Sequence, residues 1–151
     1  MQTRRKTLQH SAIVAGMLAA TGLFPGHALA FNAKAFDAKT IGDALKALGA
    51  AAPTESKDVT IIGPDIAENG AVVPLGASTS LAGVKQLLIL VEKNPSTLVA
   101  AFNLTDSVDA NISARAKMGQ SSDVYAVAIM HDGRTFFAKK EVKVTLGGCG
   151  G

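Results

Sequence analysis

The chain has 151 residues (15.4 kDa), of which 48% are hydrophobic and 18% charged, a composition that supports one packed domain and argues against disorder. Its fifteen basic and twelve acidic side chains give +3 and a pI near 9.1, yet Arg4, Arg5 and Lys6 all precede the first acid, Asp37. Past residue 30 the charges balance at twelve each, and nothing reads as the clustered basic face of a nucleic-acid binder.

Residues 1–30 read as a basic segment, a mild apolar stretch from Ala12 to Phe24, and a small-x-small site at Ala28-Leu29-Ala30. That layout predicts a cleavable export signal, with the mature chain starting at Phe31. The apolar stretch is too short for a permanent bilayer anchor, so no stable membrane insertion is expected. Gly16, Gly22 and Pro25-Gly26 count against an amphipathic N-terminal helix. Thr3 to Leu8, TRRKTL, resembles a twin-arginine signal, with Arg4-Arg5 at its head and Leu8 at its hydrophobic position. It departs from that pattern at Thr7 and Gln9. The expected destination is a bacterial periplasm, an oxidising compartment in which a structural cysteine is normally paired.

Residues 31–50 place Phe36, Ile41, Ala44, Leu45 and Leu48 at helical spacing and predict one helix with an apolar stripe. Thr40 and Asp43 suit a capping box, and Gly49 suits a stop. AAPTES (51–56) breaks this pattern and strand signals follow. KDVTIIG (57–63) runs into a Gly63-Pro64 turn, and ENG (68–70) marks the next. AVVPLGAS (71–78) is a short strand in which Pro74 points to an edge position or a bulge. Leu87 to Val91 is the strongest apolar run, closed by Asn94-Pro95, and fits a strand buried on both faces or at the core of a sandwich. TLVAAFNLT (97–105) follows, then NISARAKM (111–118), which alternates at Ile112, Ala114, Ala116 and Met118. Val124, Ala126, Ala128 and Met130 alternate against Tyr125, Val127 and Ile129. Asp132-Gly133 signals a hairpin, completed by a strand with Val142, Val144 and Leu146 on one side and Glu141, Lys143 and Thr145 on the other.

About seven short strands with close turns predict an all-β fold, an immunoglobulin-like antiparallel β-sandwich with an N-terminal helix. A barrel or an α+β fold is the alternative. The expected organisation is a signal at 1–30, a sandwich domain at 31–146 and a mobile arm at 147–151.

Little in the sandwich reads as chemistry. His131, the one histidine past residue 30, stands beside the Asp132-Gly133 turn and reads as an exposed turn residue. With one histidine and one cysteine, a zinc site of three or four converging ligands is not expected. No glycine-rich loop stands between strand and helix to hold a phosphate. Ser78, Thr79 and Ser80 lack a neighbouring base and read as a loop. The acids are scattered, and no acid/base pair can be picked from their spacing.

Cys149, the single cysteine, lies in LGGCGG (146–151) with no intrachain mate. An odd cysteine in an exported protein implies a reactive thiol or an intermolecular bond. Glycine offers no side chain against which a core cysteine could pack. Gly147, Gly148, Gly150 and Gly151 remove bulk on both sides of the sulfur, so a tail reaching roughly 15 Å could enter a channel closed to an ordinary peptide. A catalytic nucleophile would instead be held rigid beside a base. With no cation or helix end to activate it, the thiol reads as a substrate handle whose chemistry partners perform.

GGCGG behind EVKVTL resembles the C-terminus of SoxY, the sulfur-carrier subunit of the SoxYZ complex, and all five tail positions match. With the twin-arginine-like signal, the size and the β pattern from Lys57 to Leu146, the resemblance spans essentially the whole chain. It implies that Cys149 carries sulfur intermediates covalently on a swinging arm of Gly147, Gly148, Gly150 and Gly151. It implies a SoxZ-like subunit as partner in a heterodimer or higher assembly. A partner lacking its own signal could then leave the cell folded onto this chain. Transient partners would be a haem-containing enzyme that joins thiosulfate oxidatively, a hydrolase that releases sulfate, and a sulfur dehydrogenase. The chain would be a carrier with no cofactor, no metal and no catalytic residue of its own. The alternatives are a secreted β-sandwich scaffold tethered by an intermolecular disulfide and a thiol enzyme, the latter lacking a Cys-x-x-Cys pair and a placed base.

Overall fold

The computed structural model describes residues 32–145; the expected signal at 1–30, Phe31 and the tail at 146–151 lie outside them. The single predicted helix is two: α1 (Ala33–Phe36), capped by Asn32, and α2 (Ile41–Ala47), capped by Thr40. The break has a tertiary cause that a hydrophobic stripe does not reveal. The carbonyls of Phe36 and Ala38 are taken by the Ser96 hydroxyl and by the Thr97 N–H (3.1 Å for the latter) instead of continuing a helical ladder. Thr40, in extended conformation, then starts a second helix. Its Oγ1 accepts the Asp43 N–H (3.1 Å) and donates to the Asp43 carboxylate (2.8 Å), so the predicted residues do cap. The helix ends at Gly49, as expected, where the N–H groups of Gly49 and Ala50 reach the carbonyls of Lys46 and Leu45, both at 3.0 Å. No described helix is long and apolar enough to cross a membrane.

The strands among the described residues are β1 (Thr54–Glu55), β2 (Val59–Ile62), β3 (Ile66–Ala67), β4 (Val73–Thr79), β5 (Val84–Val91), β6 (Leu98–Asn103), β7 (Asn111–Ala116), β8 (Ser122–Met130) and β9 (Thr135–Val144). They form two sheets, a β-sandwich-like arrangement. One sheet is ordered β1-β9-β8-β5-β6 with β3 also on β9; the other is β2-β4-β7. The seven longer strands pair antiparallel, as expected. The two-residue β1 and β3 do not: both run parallel to β9 and were not predicted. Two residues carry no periodicity, and these strands exist because one edge of β9 offers unpaired backbone groups. Pro74 has the edge position expected of it, although β4 is the middle strand of its sheet. It is tolerated because β2 pairs with β4 only from Gly76 to Thr79, so β4 has one neighbour at Pro74.

The core has two compartments separated by the larger sheet. Leu87, Ile89 and Val91 of β5, with Val124, Ala126 and Ala128 of β8, face the smaller sheet and meet Val73, Leu75 and Ile112. Leu88 and Leu90, with Val127 and Ile129, face the other way and meet Ala35, Ala44 and Leu45 of the helices. The run Leu87–Val91 is therefore buried on both faces, each residue at 1% exposure or less. The β8–β9 hairpin turns at Gly133, whose φ of 89° favours glycine, and the Asp132 side chain accepts the Arg134 N–H (3.0 Å).

Two-faced burial makes a prediction. Leu87→Ala and Leu88→Ala point into different compartments, yet each should lose about 2–5 kcal/mol in chemical denaturation. A tolerant response at either position would mean that its face of β5 is not packed.

Candidate functional site

The candidate residues Cys149, Gly147, Gly148, Gly150 and Gly151 follow β9 in the sequence, so the end of β9 is the described part of the chain nearest to them. Cys149 and Gly147, Gly148, Gly150 and Gly151 lie outside the described residues, which stop at Thr145. The β8–β9 ladder closes at the Ser122–Val142 pair. The three N–H groups beyond it are all donated. Lys143 donates to Asp65 O (2.9 Å), Thr145 to Ala67 O (3.1 Å) and Val144 to the Ser121 hydroxyl (2.9 Å). The Thr145 hydroxyl also lies 3.5 and 3.4 Å from the Ala67 and Glu68 carbonyls.

The segment around β3 that receives these bonds is itself fixed. Gly70 accepts the Met118 N–H through its carbonyl (2.7 Å). A Cβ on Gly70 would collide with the Met118 carbonyl oxygen and lie 2.8 Å from Val144 Cγ1, so this position admits only glycine without movement of its neighbours. Asn69 shapes the approach by accepting the Ala71 N–H (2.9 Å), which realises the predicted turn at 68–70. Upstream, Lys140 holds the β2–β3 connection against β9. Its register position is shared with the core-facing Ala138 and Val142, but its ammonium reaches outward to Gly63 O and to the Asp65 carboxylate, both at 2.8 Å. The Lys140 hydrogen bond and charge hold the Asp65 carboxyl below the usual aspartate range.

The other sequence candidates do not converge on a reaction. His131 is exposed in the β8–β9 turn. Beside it Asp132 is held below its ordinary value, chiefly by the Arg134 backbone N–H and then by the guanidinium, with Nε at 2.7 Å. Ser78 and Thr79 lie in β4 and not in a loop, which corrects the expectation. They line a cleft of about 500 Å³ with Lys57, Asp58 and Asp109, and the Thr79 hydroxyl there is committed to Asp58 O (2.7 Å). A cleft of about 700 Å³ lies over Ile62, Pro64, Pro74 and Gly76, with Arg115 as its one charged lining residue. Burial, then the charges of Glu92 and Asp123, push the Tyr125 phenol up. Among the described residues no three of His, Cys, Asp and Glu gather as metal ligands.

Sequence reasoning missed Asp65, Ser121, Lys140 and Gly70 at the end of β9. Gly70 carried a signal as part of a turn. The others carried none, because an ion pair between residues as distant as Asp65 and Lys140 and a lone hydroxyl leave no pattern in a sequence.

The family profile described as sulfur oxidation protein SoxY matches residues 44–149. Among solved structures the chain is similar to the sulfur carrier protein SoxY from Chlorobium limicola f thiosulfatophilum, at 33% identity and a TM-score of 0.64, covering 71% of this chain and 97% of that one. It shares its fold with the superoxide reductase (neelaredoxin) from Ignicoccus hospitalis, at 16% identity and a TM-score of 0.50, covering 58% of this chain and 80% of that one. No curated protein sequence matches it.

The Lys140–Asp65 contact is testable by titration. A depressed carboxyl value means that Asp65 contributes stability above its unfolded value and loses it as pH falls through the folded one. Lys140→Met keeps the apolar stem and removes the ammonium. NMR titration should then show the Asp65 midpoint moving up toward that of an ordinary aspartate; an unmoved midpoint would discount the pair.

Proposed function

The chain belongs to the SoxY family of sulfur oxidation proteins, and from that premise we propose that it carries sulfur intermediates as covalent adducts of the Cys149 thiol. The observation that carries this reading is the extent of the family match, which runs to residue 149, the cysteine itself. The chain is a carrier on which other enzymes act. Gly147, Gly148, Gly150 and Gly151 form its arm, a slender lead into partner active sites. The body is an immunoglobulin-like sandwich that docks on a SoxZ-like subunit as a heterodimer or higher assembly.

The proposed chemistry balances without any catalytic group from this chain. The Cys149 thiolate and thiosulfate form a sulfur–sulfur bond, and the two electrons released leave in successive one-electron steps through a haem-containing conjugating enzyme. Water then cleaves the terminal sulfonate as sulfate and leaves a persulfide on Cys149. A sulfur dehydrogenase oxidises that remaining sulfur. The adducts are anionic, so a basic channel in each partner would draw the arm in. The work belongs to the periplasm. The segment 1–30 serves as the export signal there, by the twin-arginine route, which passes folded proteins and so allows a partner to leave with this chain.

Intact mass spectrometry decides the central claim. Incubation with thiosulfate and active partner proteins should add a reducible mass that maps to the C-terminal peptide. An unchanged mass would leave the thiol as a disulfide tether. Cys149→Ser should abolish carriage while the melting temperature and partner binding stay as in the wild type; a large thermal loss would make the thiol structural.

The arm makes its own demand. Gly148→Leu or Gly150→Leu should slow turnover by the partner enzymes with domain stability unchanged. Normal turnover in both variants would mean that the tail threads no narrow entrance.

A further inference from the structure

The ordinary ladder of β9 runs out at Val142, yet the chain is not released there. Lys143 and Thr145 send their N–H groups to the Asp65–Ala67 segment. Val144 sends its N–H the other way, where β8 no longer pairs with β9, and the Ser121 side chain supplies the missing rung at 2.9 Å. Gly70 closes the arrangement from one face, its backbone lying so near Val144 and the Met118 carbonyl that no Cβ fits. The strand end is thus held on two edges and one face until four residues before the cysteine.

Resting on the carrier reading above, we propose that Ser121 and Gly70 are positioning residues that hold the base of the carrier arm through Thr145. With Thr145 held, four residues to Cys149 give the thiol a reach of at most about 13 Å at the rise of an extended chain. If the last three rungs opened, the next fixed point would be the fully buried Val142, and seven residues would reach about 23 Å. A longer tether is no advantage at a target that the short one already spans. Effective concentration falls roughly as the −3/2 power of tether length, so this retreat dilutes the thiol at a docked active site about two-fold. The held strand end therefore limits the distance at which partners meet the cargo.

The test uses the full chain as secreted, with Ser121→Ala, Ser121→Thr and Gly70→Ala. Ser121→Ala leaves the core untouched and decides the matter if Gly70→Ala does not fold. In it the Val144 and Thr145 amides should exchange at least about ten-fold faster, with those of Leu88 to Leu90 unchanged. Cargo is loaded with tetrathionate alone. The Cys149 thiolate displaces thiosulfate from it and keeps a sulfane sulfur bearing sulfonate, with no further oxidant. Sulfate release from this adduct by the hydrolase, at saturating enzyme, should fall about two-fold in Ser121→Ala. Ser121→Thr, which retains the hydroxyl, should restore both exchange and release. Equal exchange in Ser121→Ala overturns the clamp, and faster exchange with unchanged release overturns its positioning role. A wild-type adduct that the active hydrolase leaves untouched removes the carrier reading and the arm with it. Exchange alone then judges the strand-end contacts.

Discussion

Leu87 to Val91 are five consecutive aliphatic residues, and a strand points them alternately to opposite faces, so neither face of β5 can be left to water. Burial of each side chain contributes about 1.5–3 kcal/mol, which no surface arrangement could replace. The constraint dictates three layers. A second sheet must cover Leu87, Ile89 and Val91, and something else must cover Leu88 and Leu90. The two short helices exist to do the latter. Neither is long enough to be stable alone, and both survive by burying Ala35, Ala44 and Leu45 against the sheet. β8 repeats the two-faced pattern of β5 beside it, which makes β5 and β8 the rigid centre from which β9 is hung.

β9 then faces the difficulty of every strand near a sheet edge, a row of unpaired backbone groups. The protein meets it with local pieces: β1 pairs at Phe136 and Phe137, β3 at Lys143 and Val144. Between these two patches stands Lys140, whose stem lies along the core-facing side and whose ammonium ties the β2–β3 connection to the strand. One set of contacts thus shields the edge, joins the two sheets and anchors the chain just ahead of its tail.

The parts of this design that show in the sequence are those with local periodicity or a local cap. The alternation of Val124, Ala126 and Ala128 against Tyr125, Val127 and Ile129 maps directly onto the two core compartments, and Thr40 caps where its spacing from Asp43 suggests. The helix break escaped because its cause lies some sixty residues away, at Ser96. β1 and β3 escaped because a parallel pair of two residues is made by its partner and not by its own pattern. Pro74 marked a local edge and not an edge strand, because the neighbouring β2 stops short of it. Cys149 lies outside the described residues, and its role is argued from sequence alone: its surroundings of glycine offer nothing to pack against.

The division between a body rich in contacts and a tail nearly devoid of side chains has a thermodynamic logic in the carrier reading. Ordering one backbone residue costs about 1–2 kcal/mol, and glycine stands at the high end. Every entry of the arm into a partner site must meet that cost afresh, so each extra free residue weakens engagement while adding reach. Rungs that hold Lys143, Val144 and Thr145 in the folded body remove three residues from the cost of each visit. In the proposed role, the glycines would keep the rest thin enough to enter and weakly enough bound to leave. In that reading a strand end held through Thr145 and a glycine-rich sequence after it are two halves of one solution, in which the body limits how much entropy the arm must surrender.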